Sequence, residues 1–479
     1  MALSGKVAFN TGIQVISKII GTLVSLAAVA LITRYLGSFG FGHYTTAITF
    51  VTFFSIAGDF GLTLVTSQMI SKPGVDQNRI VSNLFSFRLA TAFVVLAFAP
   101  LFVIFFPYPE IVKQGVVVAS LAFFFILLNQ VFVSLFQKEL RADRIALAEV
   151  ISRIIVFLLT VIVAWFNWGM VGMLWAMAIG NALSFAIHYY YGKAYARIRL
   201  IYEKAVWKDI AKRSWPFMLT IVLNLVYLKT DTLILSLMKN ASEVGLYGAA
   251  YKVIDVLVSV PFMLGGTVLP ILSLRWQSGK HEDYKRAWQK IFDATSVLVW
   301  PMVIGGFVLA TPIMTLVAGE EFHPAGAILK ILIFAVGGIF FSSFFGYTMV
   351  SFNAQRKMIG AYIFTALSAL ILYLIFIPRF SYMGAAWVTV YSEVAISLAS
   401  WWLVWKQSKL TLKYVVCFKS LIAALIMGLV VSWLPIHVYT VIGLTVAIII
   451  GAVVYALLSW LLGAIKKSDL KELLSRNVI

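Results

Sequence analysis

Charged side chains lie inside long apolar runs of this 479-residue chain, and the candidates for function among them are Lys18, Asp59, Arg88, Glu149, Arg153, Lys229, Asp231, Lys252, Asp255, Glu393 and Lys419. A charge held in hydrocarbon costs about 2.5–3.5 kcal/mol on insertion scales, so such a residue faces a partner or a water-filled cavity. Asn10, Gln14, Lys18, Thr22 and Ser25 follow one another at steps of four, four, four and three. That spacing puts them on one face of a helix. Lys18 has no carboxylate three or four residues away, so the stripe reads as cavity lining that carries a cation. The alternative is a row of helix–helix hydrogen bonds. Thr220, Asn224, Tyr227 and Asp231 form a second polar face, and Gly248, Lys252, Asp255 and Ser259 a third.

Local pairing explains some of these charges. Glu149 and Arg153, at i,i+4, are expected to neutralise each other, and Lys252 and Asp255, at i,i+3, can do the same. Lys229 and Asp231 are two apart and point to different faces. Asp59 sits between Gly58 and Gly61 with no cation nearby in sequence, and Glu393 is similar, so each is a candidate for a cavity or for an interhelical hydrogen bond. In the first half, Lys18, Arg88 and Arg153, with Arg34 at a span end, outnumber Asp59 and Glu149. In the second half, Asp231, Asp255 and Glu393 outnumber Lys229 and Lys252. An excess of Lys and Arg suits a phosphate-bearing substrate. The cluster Glu320, Glu321 and His323 offers too few ligands for a convincing metal site.

The elements that hold these residues are membrane spans. Hydrophobic residues make up 62% of the chain, charged residues 12%, and the mean hydropathy is +0.96. A soluble domain is about half apolar and a quarter charged, which excludes a soluble enzyme, and disorder needs low hydrophobicity. Fourteen apolar runs fall at residues 10–36, 42–70, 81–106, 112–137, 145–166, 168–191, 214–238, 244–275, 288–318, 326–350, 358–377, 383–406, 413–434 and 437–464. Runs of about 20 residues are helices by length, and a β-barrel would show alternating strands of about ten. With the N-terminus in the cytoplasm, 27 of the 38 Lys and Arg residues fall on the inner side and 4 on the outer side. The net charge of +19 is therefore read as a positive-inside bias and not as a nucleic-acid surface. Both termini are expected inside.

The longest connection, 192–213, carries seven basic residues and places Ile198, Tyr202, Val206 and Ile210 at steps of four. It is expected to be an amphipathic helix on the inner leaflet. It divides the chain into residues 1–191 (six spans), the linker 192–213, residues 214–406 (six spans) and residues 407–479 (two further spans and a tail). Phe41-Gly42-His43-Tyr44-Thr45-Thr46-Ala47 and Val244-Gly245-Leu246-Tyr247-Gly248-Ala249-Ala250 share the pattern apolar-Gly-x-Tyr-x-x-Ala, 203 residues apart. Each copy opens the second span of its half, as expected for a parallel repeat. Pro216, Pro261, Pro270, Pro301 and Pro312 are candidate kinks. The one cysteine, Cys417, excludes an intrachain disulfide, and no cleavable signal peptide is evident.

These residues bear a family likeness. Asn10-x-x-x-Gln14-x-x-Ser17-Lys18, Arg34-Tyr35-Leu36-Gly37, Phe41-Gly42-x-Tyr44, Asp59-Phe60-Gly61-Leu62, Trp215-Pro216-Phe217, Val244-Gly245-Leu246-Tyr247 and Pro270 together resemble the Wzx-like polysaccharide transporters. These are the O-antigen flippases of the multidrug/oligosaccharidyl-lipid/polysaccharide exporter superfamily. The resemblance covers nearly the whole chain. It implies two six-helix lobes in a V shape around a central cavity, with two extra C-terminal helices. It implies alternating access that carries an undecaprenyl-diphosphate-linked oligosaccharide across the bacterial inner membrane. Lys18, Arg34, Arg88, Lys229 and Lys252 are the expected cavity cations. Asn10, Gln14, Asp59, Asn224, Asp231, Asp255 and Glu393 are the expected polar or ion-coupling groups, the coupling ion being H⁺ or Na⁺. No other cofactor, metal or nucleic acid is expected. The expected partners are the bilayer, the lipid-linked substrate, a polysaccharide polymerase and a chain-length regulator, with the transporter itself monomeric. The arginine-rich first span of the related lipid II flippase is not matched, because Lys18 is followed by Ile19 and Ile20. Two alternatives are a small-molecule antiporter of the same superfamily, which typically has twelve spans, and a membrane glycosyltransferase or polymerase.

Overall fold

The structure is a computed structural model. It describes residues 3–465 apart from 72, 73, 75, 280 and 435–437, and their side chains except those of 3–11, 15, 64, 216, 217, 219–228, 266 and 267. Lipid offers no partner to a backbone N–H or C=O, so a spanning segment must close its own hydrogen bonds. No strand occurs among the described residues, and eleven helices there are long and apolar enough to cross a bilayer. The chain is an all-α polytopic membrane protein. It divides into two compact units, Met1–Gly245 and Leu246–Ile479.

The first unit holds α1 (Leu3–Asp59), α2 (Leu62–Ile70), α3 (Gln77–Val103), α4 (Glu110–Lys138), α5 (Ala142–Trp165), α6 (Gly169–Gly192) and α7 (Lys204–Met238). α1 is interrupted at Gly37 (φ 64°, ψ 179°), between the first two predicted spans. Glycine has no Cβ to clash in that conformation. α4 is the central helix, with Val112, Val116, Ala119, Phe132 and Leu135 fully buried. Leu84 and Phe85 of α3 meet Leu128, Phe132 and Phe136 of α4 in the core. Phe93, Phe105 and Trp165 stay on the outside, where hydrocarbon would solvate them.

The linker departs from its predicted helix. Residues 196–203 are extended, and helix begins only at Lys204. The extended segment is strapped to one face of α3. The backbone N–H groups of Arg197, Arg199 and Ile201 donate to Asn78 Oδ1 (2.7 Å), Ser82 Oγ (3.1 Å) and Ser86 Oγ (2.9 Å). Four helical residues rise about 6 Å and two extended residues about 6.6 Å, so the two periods coincide. A step of four, as from Ile198 to Tyr202, is also a multiple of the strand period, which is why spacing alone did not distinguish the two conformations. Glu203 closes the strap. Its N–H donates to Asn83 Oδ1 (3.1 Å), and its carboxylate accepts from Arg79 Nε (2.9 Å) and Asn83 Nδ2 (2.9 Å).

The second unit holds α9 (His281–Ala318), α10 (Ala325–Ser351), α11 (Ile359–Ser408), α12 (Val415–Trp433) and α13 (Val441–Leu461), together with most of α8 (Ala241–Gln277), which starts in the first unit. α11 is interrupted at Ser381 (φ 50°), again between two predicted spans. α10 is the central helix, with Ile328, Leu329, Leu332, Ile333 and Val336 fully buried. α8 and α9 remain helical across Pro261, Pro270, Pro301 and Pro312. Glu320 and Glu321 sit on a single 3₁₀ turn, Glu320–Phe322, and no metal-ligand cluster occurs among the described residues. α12 and α13 pack on α9, with Tyr455 Oη donating to the Val297 carbonyl (2.7 Å).

Hydrogen bonding from Arg79, with that from Asn83, holds the Glu203 carboxyl below its usual range. A lowered folded-state pKa gives stabilisation that is complete above the unfolded value, about 4.3, and is lost as the pH falls through the folded value. The strap amides of residues 197, 199 and 201 should therefore exchange faster in acid than loss of base catalysis alone would allow. Glu203→Gln should show fast exchange already at neutral pH; slow, wild-type exchange in that variant would mean the carboxylate does not hold the strap.

Candidate functional site

The second span is broken in its middle. α1 ends at Asp59, Phe60 (φ 51°) and Gly61 (φ 71°) take left-handed conformations, and α2 begins at Leu62. Phe60 is a strained choice there, and strain of this kind persists only where surroundings enforce it. The enforcing group is Arg88 of α3. Its Nη1 donates to Asp59 Oδ1 (2.7 Å) and to the Asp59 carbonyl (3.2 Å), and its Nη2 donates to Thr63 Oγ1 (2.9 Å). Thr63 in turn donates to Asp59 Oδ1 (2.6 Å). One guanidinium thus caps the end of α1, neutralises its last carboxylate and ties in the first turn of α2. The Arg88 side chain is 1% exposed and that of Asp59 20%.

Of the two readings of Asp59, the structure shows the interhelical one: its cation comes from a different helix, 29 residues on. It also withdraws Arg88 from the set of cations open to a substrate.

A correction concerns Arg153. No ion pair joins it to Glu149 among the described residues. Arg153 instead reaches from α5 to α1, where its Nη1 donates to Ser25 Oγ and lies 3.4 Å from the Gly21 carbonyl. A Cβ at position 21 would sit 2.9 Å from Arg153 Cδ, so Gly21 provides the slot. Gly21 and Ser25 are three and seven residues beyond Lys18, on the same face. Lys18 and Thr22 are half-buried there and Gln14 is exposed. The polar stripe of the first span therefore carries two cations, Lys18 and Arg153, and among the described residues neither is ion-paired.

The other predicted residues are distributed as follows. Asn10 and Asn224 lie outside the described side chains. Arg34 is exposed and Lys229 half-buried, both in the first unit. Asp231 is fully buried in α7, and its Oδ1 accepts from Thr232 N–H (2.6 Å) and Thr232 Oγ1 (3.2 Å). In the second unit Lys252 is half-buried and Asp255 exposed. Glu393 is 2% exposed, and its backbone lies so close to Gly338 that a Cβ there would approach to 2.9 Å.

The sequence reading missed one buried cluster. His188 of α6 is 1% exposed, with Nδ1 3.2 Å from Asn129 Oδ1 and 3.4 Å from Ser184 Oγ. A histidine inside an apolar run was the available signal.

The model of a family described as "Polysaccharide biosynthesis protein" matches residues 31–327. The chain belongs to this family. Among solved structures it is similar to a lipid II flippase, MurJ, in an inward closed conformation, with a TM-score of 0.78 at 17% identity over 93% of this chain and 97% of that one. It is also similar to an inward-facing multidrug resistance MATE family transporter of the MOP superfamily, with a TM-score of 0.69 at 14% identity over 83% of this chain and 98% of that one. A MOP superfamily transporter from Pyrococcus furiosus, described by a reversed polarity of its binding pocket, gives 0.57 at 14% identity over 84% and 95%. No curated protein sequence matches. The chain has the fold of these proteins.

Removing one member of a buried ion pair typically costs about 3–5 kcal/mol. Asp59→Asn, which strands the buried guanidinium, should lower thermal stability in detergent more than Arg88→Met, which strands a carboxylate with access to water. The double variant should be more stable than Asp59→Asn alone. The opposite order would show that Arg88 is not held by Asp59.

Proposed function

We propose that this protein is a transporter that flips an undecaprenyl-diphosphate-linked oligosaccharide from the cytoplasmic to the outer leaflet of the bacterial inner membrane, by alternating access, for cell-surface polysaccharide synthesis. The family description and the fold shared with a lipid II flippase support the class of substrate. The observation that carries the reading is the face of α1 on which Lys18 and Arg153 are both without an ion pair among the described residues. Two cations suit a diphosphate diester, which has two negative charges.

The path we propose has fourteen spans, because α1 and α11 are each interrupted once and α7 has the length of a span. Two six-span lobes would flank a central cavity, with both termini in the cytoplasm and the lipid tail left in the bilayer. Lys229 and Lys252 are the proposed cations of the second half, with Arg34 at the outer end. Asp231, Asp255 and Glu393 are the proposed sites for a coupling H⁺ or Na⁺. An inside-negative potential also assists, since outward movement of negative charge gains about 2.3 kcal/mol per charge per 100 mV. The proposed partners are a polymerase and a chain-length regulator, and the proposed state is a monomer.

The test is a proteoliposome assay with a fluorescent undecaprenyl-diphosphate oligosaccharide and an impermeant quencher. Losing one charge-assisted contact to phosphate costs about 2 kcal/mol, roughly thirtyfold in rate. Lys18→Ala and Arg153→Ala should each slow flipping by about that factor while the protein stays folded, and Lys229→Ala and Lys252→Ala should slow it too. Wild-type rates in Lys18→Ala and Arg153→Ala would overturn the cationic-face mechanism. Export of small cationic drugs with no flipping would favour the antiporter reading.

A further inference from the structure

The two copies of the repeated motif meet at their glycines. A Cβ built on Gly42 would lie 1.7 Å from the carbonyl oxygen of Ala241. A Cβ built on Gly245 would lie 2.0 Å from the carbonyl oxygen of Ser38 and 3.0 Å from the Gly42 nitrogen. Ser38 precedes Gly42 by four residues, and Ala241 precedes Gly245 by four. In a helix the carbonyl at i−4 accepts the N–H of residue i. Each glycine therefore rests on the backbone hydrogen bond that ends at the other glycine. Exchanging the two motif copies exchanges the two contacts, so the crossing has local two-fold symmetry. All four residues lie in the first unit.

Backbones approach this closely only through glycine, as in the small-residue crossings of membrane helices, where Cα–H···O contacts form. Phe41, Ala47 and Val244 around the crossing are fully buried. Such a contact is short-ranged, because a gap of about 0.5–1 Å already forfeits a quarter to a half of each dispersion well. It is thus either made or absent, as a gate requires. It lies just beyond the Gly37 break and the Lys239–Asn240 connection, which the proposed topology puts on the outer side.

We propose that Gly42 and Gly245 are paired positioning residues for transport: their crossing closes the outer end of the path, and its separation is the outward-opening step. This rests on the alternating-access reading above, but it can be tested without the lipid substrate.

In a Cys417→Ser background, Thr22→Cys places a reporter thiol on the polar face of α1, to be labelled from outside by an impermeant maleimide. Gly42→Ala and Gly245→Ala should each raise the labelling rate several-fold and to a similar extent, and the double variant should add little. Gly346→Ala is the control, because a Cβ there meets nothing within 4 Å. Labelling unchanged by either substitution, or changed by only one of them, would overturn the proposal. Should the glycine variants fail to fold, spin labels on the exposed positions 39 and 240, introduced as Phe39→Cys and Asn240→Cys, give a second measurement. Short and long distances should both appear during turnover of labelled lipid-linked oligosaccharide or on adding it. A single short distance throughout would overturn the gate. If labelling responds as expected but no lipid is flipped by the wild type, the substrate assignment fails and the gate stands.

Discussion

An interrupted helix inside a bilayer must satisfy its freed backbone groups without water, and the arrangement around Asp59 follows from that constraint. The break at Phe60–Gly61 exposes the end of α1, and only a multidentate donor can cap the carbonyl and the carboxylate together. Arg88 meets that need with three hydrogen bonds from one guanidinium. Its burial is tolerable because Asp59 neutralises it, and Phe60 keeps its strained conformation because both neighbouring helix ends are tied to the same group.

With Arg88 committed to Asp59, the cationic character of the first unit rests on other residues. Arg153 takes over part of it by crossing from α5 into the slot at Gly21, which brings a second cation to the face of Lys18. The site is therefore a product of small residues as much as of charged ones: a methyl group at position 21 would press on the Arg153 side chain. Outside the spans the same economy holds. The strap at residues 196–203 needs no helix of its own, because the hydroxyls and amides of α3 satisfy its backbone at matching intervals.

The helical class was legible in the amino-acid order, because the bilayer imposes length and apolarity locally on each segment. The stripe from Gln14 to Ser25 was legible for the same reason, being a matter of spacing along a single helix. The interruptions at Gly37 and Ser381 fall in gaps between apolar runs. The short strap was misread as helix, since a step of four satisfies both periods and the deciding hydrogen bonds come from residues more than a hundred positions away.

What the order of residues determined, then, is what each segment can be: a span, a polar face, a basic loop, or a glycine-bearing motif in two copies. Tertiary structure alone decided which groups meet. Asp59 finds Arg88 and not a near neighbour, Arg153 leaves Glu149 for Ser25, and Gly42 rests against the turn of Gly245, 203 residues away. Charge pairing and backbone contact depend on distances of a few ångströms between helices, and those distances are set by packing, which no local pattern along one helix encodes.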